Sequence, residues 1–323
     1  MTLQYDFHGV RLDVWTDDEG VAEAIAERFG DFAATDARPP EINFTIDLVD
    51  DANGHKVSRP RGGSRPVYDP PEGEVSYFDD QEILYIEVPE TLRLRCDTRR
   101  QTVHVSALRM QKQRDWLLSR PMLTIPLVEL LKRRRLFNVH AACLGANGRG
   151  ILFAGPSGSG KSTLALALLT SGFEFLGDDM IFLRNGDGPQ RALAFPDAID
   201  FTPSTAAFFP KLRELVAQPL PAGWPKHRLS AGAVFGTAFV ADCVPAAIVF
   251  PRVSEAERSE LVPVGTDEAL LELAPNVLLT APAHAQAHLD ALAELVQVCD
   301  CYRLEAGRDF DRIAELSREL VSS

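Results

Sequence analysis

Cysteine is scarce and unpatterned. The 323-residue chain has five, an odd number, and none stands in a C-x-x-C pair. That pattern does not support a disulfide framework. Cys299-Asp300-Cys301 lies on an expected strand, which puts both thiols on one face. A metal site there needs two more ligands, and the sequence shows none. Buried, reduced thiols are the reading. His284 and His288 have the i, i+4 spacing that can hold zinc. No H-E-x-x-H pattern or third ligand accompanies them, so they are expected to be surface histidines.

Positive charge is in deficit, with 33 Lys and Arg against 46 Asp and Glu, a net charge of −13. A phosphate backbone or an anionic membrane needs a basic surface, so both partners are excluded. Long apolar runs are missing too, and none reaches the roughly 20 residues of a membrane span. The first residues, Met1–Phe7, lack the basic and apolar regions of a secretory signal. A cytoplasmic location is therefore expected. The remaining composition, 46% hydrophobic and 24% charged, is that of a globular protein, and the length suggests two domains.

What is present is concentrated between Gly150 and Leu183. Gly155-Pro-Ser-Gly-Ser-Gly160-Lys161-Ser162 fits the phosphate-binding pattern G-x-x-x-x-G-K-[ST] in full. Ile151–Ala154 reads as a buried strand feeding it, and Ser162–Leu169 as an Ala/Leu-rich helix leaving it. In such a turn, backbone N–H groups and a helix N-terminus face an anion. Gly155, Ser157, Gly158, Ser159, Gly160, Lys161, Ser162 and Thr163 would hold the phosphates of ATP. Lys161 would reach the terminal ones, and the Ser162 hydroxyl would ligate Mg²⁺.

A second apolar run, Phe173–Gly177, ends in Asp178-Asp179. Asp178 follows Lys161 by only seventeen positions. One helix and one tight return are expected to bring this strand back beside the first. Adjacent acids on a strand point to opposite sides. One can then serve the metal and the other a proton.

Val139-His140-Ala141-Ala142, the Gly155–Ser162 loop and Phe173-Glu-Phe-Leu-Gly-Asp178-Asp179 together resemble the catalytic core of the HPr kinase/phosphorylase family. The Gly-Asp-Asp ending also resembles the ATP-dependent phosphoenolpyruvate carboxykinases, which share that fold. The resemblance covers about 138–183. It implies an α/β fold with a P-loop kinase core of this type. It also implies that His140 and Asp178 lie near the transferred phosphate, as catalytic groups with Lys161. Ser162 and Asp179 then lie on the metal side. The Glu-Ile-Arg-Gly motif of bifunctional members is absent, and Phe195–Asp200 stands in its place. The resemblance thus does not extend to phosphorylase activity or to HPr as acceptor.

Elsewhere the chain reads as three stretches. Residues 1–110 form a strand-rich α+β accessory or substrate-docking domain. It has a helix near Val21–Phe29 and a strand with Ile42, Phe44, Ile46 and Leu48 on one face. Further strands are expected at Gln81–Val88, Thr91–Cys96 and Gln101–Ser106, with a loop at Asp51–Glu74. Residues 111–137 form a helical connection, with Pro121 and Pro126 at helix starts or a kink. It ends in Lys132-Arg-Arg-Arg135, which suits a helix C-terminal dipole or an acidic partner. Residues 138–323 form the catalytic domain. Its loop with Trp224, Lys226, His227 and Arg228 could bring a cation to the phosphates.

The expected activity is ATP-dependent transfer of the γ-phosphoryl group to a Ser or Thr hydroxyl of a protein or peptide, by a homo-oligomer. The alternatives are a regulatory nucleotide-binding module with little or no transfer, a small-molecule kinase, and a carboxykinase.

Overall fold

The computed structural model describes residues 1–68, 74–109, 122–186, 188–195, 198–220, 226–236, 239–278 and 282–322. The fold is mixed α/β with two large sheets. The chain divides into two compact units, Met1–Arg134 with Leu279–Ala285, and Arg135–Leu278 with Gln286–Ser323. Of the expected connection over 111–137, residues 111–121, Pro121 among them, lie outside the described residues. The helix Thr124–Lys132, with Pro126 in its first turn, belongs to the first unit.

The first unit is built on eight strands: β1 (Thr2–Phe7), β2 (Val10–Thr16), β3 (Ile42–Val49), β4 (Arg65–Tyr68), β5 (Glu74–Phe78), β6 (Ile83–Val88), β7 (Leu92–Asp97) and β8 (Thr102–Leu108). Their order is β1-β2-β3-β8-β7-β6-β5-β4. The β2–β3 and β3–β8 pairs are parallel and the others antiparallel. Alternation sets which face is covered. Ile42, Phe44 and Ile46 are buried while Asn43 is exposed, and Leu48 is half-buried. The helix Glu19–Phe29 is capped by Asp18, whose carboxylate accepts from the Val21 N–H at 2.9 Å. Its buried residues, Val21, Ala22, Ile25 and Phe29, follow helical spacing.

The second unit carries β9 (Leu136–Val139), β10 (Ala141–Ala146), β11 (Arg149–Ala154), β12 (Glu174–Gly177), β13 (Ile181–Arg184), β14 (Arg191–Ala194), β15 (Ile199–Phe201), β16 (His227–Leu229), β17 (Asp242–Val253), β18 (Glu260–Pro263) and β19 (Asp300–Ala306). Its main sheet runs β12-β10-β11-β17-β14-β13-β9, with β19 and β18 added at β17. The twelve-residue β17 reaches this far because it serves two neighbours in turn. On one side Asp242 and Cys243 pair with β14 and Ala247–Val253 with β19, while the other side pairs with β11. β15 and β16 form a separate ribbon.

The helix Lys161–Thr170 packs on β10 and against the helix Phe310–Ser322. Six consecutive residues, Leu164–Leu169, are buried. A helix covered all round needs apolar residues all round, which is what its Ala/Leu run supplies. Among the described residues no helix is long and apolar enough to cross a membrane.

Three expectations change. β12 does not return beside β11, because β10 lies between them and pairs antiparallel with both. His288 is not a surface residue. It is fully buried, its Nε2 lies 2.8 Å from the Asn138 carbonyl, and its ring packs near Phe137. The cysteines behave as expected: all five are free and buried. Burial pushes the Cys299 and Cys301 thiols up to about 12 and about 11.

The third change concerns Lys132–Arg135. Lys132 is buried rather than displayed, and the fully buried Glu129 pairs with both Lys132, at 3.8 Å, and Arg133. Arg133 also donates to the Tyr77 hydroxyl at 3.0 Å. Burial brings the Lys132 ammonium from its ordinary 10.5 down to about 8, against the pull of Glu129. The folded protein therefore gives up this proton before the unfolded chain does. Between about pH 8 and pH 10.5 the unfolded chain binds more protons, so this residue makes stability rise with pH in that window. Lys132→Met is expected to flatten that rise in thermal midpoints measured from pH 7 to 10.5. Parallel curves for the two proteins would place the Lys132 titration elsewhere.

Candidate functional site

The Gly155–Ser162 turn joins β11 to the helix Lys161–Thr170. Gly158 and Gly160 have φ of +85° and +101°, in the left-handed region where a side chain is strained. Two such residues close together let successive N–H groups turn toward one point. The Lys161 side chain folds back over the loop. Its Nζ donates to the carbonyls of Gly155 at 2.7 Å and Pro156 at 3.2 Å. Burial holds this ammonium below the ordinary lysine value. The carboxylates of Asp179 and Asp178 oppose the shift, and the positive charge of Lys226 adds to it.

The loop fits a phosphate. Among the described residues the Ser159 Oγ is buried without a hydrogen-bond partner, and it lies 3.1 Å from where a Cβ on Gly155 would stand. A side chain at 155 would close the cradle. Among the described residues no cluster of three or more His, Cys, Asp or Glu is arranged for a metal. A Mg²⁺ ion at the loop would therefore use Ser162 and an acid. Phosphate and water oxygens would complete its shell, which is the usual habit of that ion.

The acids and His140 come together at an interruption in the sheet. Residues 136–146 and 174–184 run antiparallel as one long ribbon: β9 pairs with β13 and β10 with β12. The ladder stops between Cys143↔Gly177 and Val139↔Ile181. His140 and the Asp178–Met180 segment lie inside that gap. Freed from the ladder, their backbone groups take other partners. The His140 N–H donates to the Asn276 carbonyl at 2.6 Å.

The Asp179 carbonyl lies 2.7 Å from His140 Nδ1. A carbonyl only accepts, so Nδ1 carries the proton, and a neutral ring then has its lone pair on Nε2. The Asp179 carboxylate is 3.7 Å from the same ring nitrogen. His140 and Asp179 are both half-buried, whereas Asp178 is 1% exposed. The Ser162 hydroxyl donates to Asp178 Oδ2 at 2.9 Å. Ser162 thus meets the first acid, not the second, and His140 meets the second.

Sequence reasoning missed several contacts. Thr163 Oγ1 is 3.4 Å from Thr205 Oγ1, on a short helix capped by Thr202. A Cβ on Gly160 would stand 3.4 Å from Val253 at the end of β17. Of the expected basic loop, Trp224 lies outside the described residues. Arg228 is paired with Asp200 at 3.0 Å, and His227 is buried against Phe201. Lys226 is half-buried. β15 and β16, which hold these groups, are three residues each and carry no period a sequence scan can register.

No protein-family model matches the chain, and no curated protein matches it. Among solved structures, that of the HPr(Ser) kinase/phosphatase from Coxiella burnetii covers 57% of this chain and 93% of its own. The identity is 15% and the TM-score 0.32.

The interruption depends on Gly177. A Cβ there would sit 2.6 Å from the Met180 carbonyl oxygen, a backbone atom that cannot swing aside. Gly177→Ala is expected to lower stability by about 1–3 kcal/mol, the scale of an overpacked interior. Gly188, whose added Cβ would meet nothing within 4 Å, is the control, with an expected change within about 0.5 kcal/mol. Equal unfolding midpoints for the two variants would show that the turn does not need the glycine.

Proposed function

We propose that the protein is an ATP-dependent kinase that moves the γ-phosphoryl group to a Ser or Thr hydroxyl of a protein or peptide. The observation that carries this reading is the meeting of Ser162 with Asp178 and of His140 with Asp179 beside a loop shaped for phosphates. Phosphoryl transfer asks for positioning and charge neutralisation more than for covalent chemistry, and this set offers both.

The loop amides and Lys161 bind the phosphate chain. Ser162 and Asp178 would hold Mg²⁺. When bound, the ion neutralises charge on the β- and γ-oxygens. Asp178 keeps the Ser162 hydroxyl turned by accepting its hydrogen bond, which leaves the serine oxygen's lone pairs for the ion. On the other side, His140 Nε2 takes the proton of the incoming hydroxyl. Its oxygen bonds to the γ-phosphorus as the bond to the leaving diphosphate oxygen breaks. The Asp179 carbonyl fixes the ring through Nδ1, and the Asp179 carboxylate favours the imidazolium that forms. The family resemblance implies the opposite division of the acids, with Asp178 on the proton side and Asp179 on the metal. The two divisions predict different mutants.

The test is single-turnover transfer from γ-labelled ATP to a mixed pool of Ser- and Thr-containing peptides. Lys161→Ala is expected to lose tight Mg-nucleotide binding while staying folded. His140→Ala is expected to lower transfer about tenfold to a thousandfold with little change in nucleotide affinity, the range for a lost proton-transfer or electrostatic group. Asp179→Asn should lose transfer and keep affinity, whereas Asp178→Asn should raise the Mg²⁺ requirement. Exchanged phenotypes for the two acids would restore the division implied by the resemblance. Tight nucleotide binding with no transfer and no hydrolysis would leave a regulatory binding module instead.

A further inference from the structure

The β15–β16 ribbon is anchored to the helix that leaves the phosphate loop. Ile199, Phe201 and Leu229 are buried in the same apolar cluster as Leu164 and Leu168 of that helix. One end of the ribbon is fixed near the loop by hydroxyl groups. Thr202 follows Phe201 directly and caps the short helix that carries Thr205, and Thr205 meets Thr163, the third residue of the loop helix. In the ladder Phe201 lies opposite His227, with their rings stacked at 5.5 Å. Lys226 is the next residue outward from His227, so it emerges at the loop end of the ribbon.

Its neighbour two positions on behaves differently. Arg228 is turned back to Asp200 in the ladder and is neutralised there. Among the described residues no carboxylate pairs with Lys226. Lys226 is nonetheless half-buried, and the ladder's next step beyond Phe201↔His227 carries it toward Thr202, whose hydroxyl lies 3.2 Å from that of Thr205, the group that meets Thr163 of the loop helix.

We propose that Lys226 is a second phosphate-binding cation that contacts the terminal phosphoryl group of a bound nucleoside triphosphate. This rests on the reading of the loop as a nucleotide site. Lys161 reaches the phosphates from within the loop, and Lys226 reaches them from the ribbon. Such a contact discriminates triphosphate from diphosphate, which the loop amides alone do less well.

Titration calorimetry with Mg-ATP and with Mg-ADP tests it. Lys226→Ala is expected to weaken Mg-ATP about tenfold to a hundredfold, the value of a hydrogen bond to a charged group. Mg-ADP affinity should stay within about twofold of the parent protein. Lys226→Arg should recover most of the loss. Lys226→Gln, which keeps most of the stem, should behave as the alanine variant does and guards against a packing defect. Unchanged Mg-ATP affinity, or equal losses for both nucleotides, overturns the contact with the terminal phosphate. A parent protein that binds neither nucleotide overturns the nucleotide site itself, and this assignment with it.

Discussion

The close approach of Gly177 to the Met180 carbonyl is the constraint on which the site depends. Two long strands could pair without a break from Leu136 to Ala146. Instead the chain tightens after Gly177 and the ladder lapses for a few residues on each side. In a continuous ladder the Asp179 carbonyl and the His140 N–H would belong to the sheet. In the gap the carbonyl is available to the imidazole, and the N–H reaches Asn276. Backbone groups that lose a ladder partner must find another, and here the replacements place the candidate site's side chains.

The same gap sorts the two acids by environment. Asp178 faces inward, is nearly inaccessible, and is tied to Ser162. Asp179 stays half-buried beside His140. Adjacent carboxylates repel one another, and burying a charge requires partners. Turning the acids to different neighbours meets both demands. Lys161 follows the same rule, with its buried ammonium satisfied by loop carbonyls.

Buried charge recurs in the first unit with a different outcome. Glu129 is fully buried and holds Lys132 and Arg133 from its own helix. The run of four basic residues at Lys132–Arg135 is thus split: two are taken up by the interior, and Arg134 and Arg135 remain exposed. Composition cannot foretell this division. It follows from the helix face that Glu129 shares with residues three and four positions later.

The sequence alone determined the features that depend on near neighbours along the chain. The loop pattern, its flanking strand and helix, the alternation of Ile42, Phe44 and Ile46, and the helix near Val21 are all local. They rest on backbone freedom, period and capping. Long-range pairing was beyond that reach. That β10 separates β11 from β12, that Ser162 meets Asp178 rather than Asp179, and that His288 is buried over Asn138 are decided by contacts between distant residues. So is the placing of β15 and β16 beside the loop helix, since strands of three residues have no period of their own. Local sequence set which groups could bind phosphate. The break in the ladder between distant strands decided which acid stands behind the loop serine and which beside the histidine.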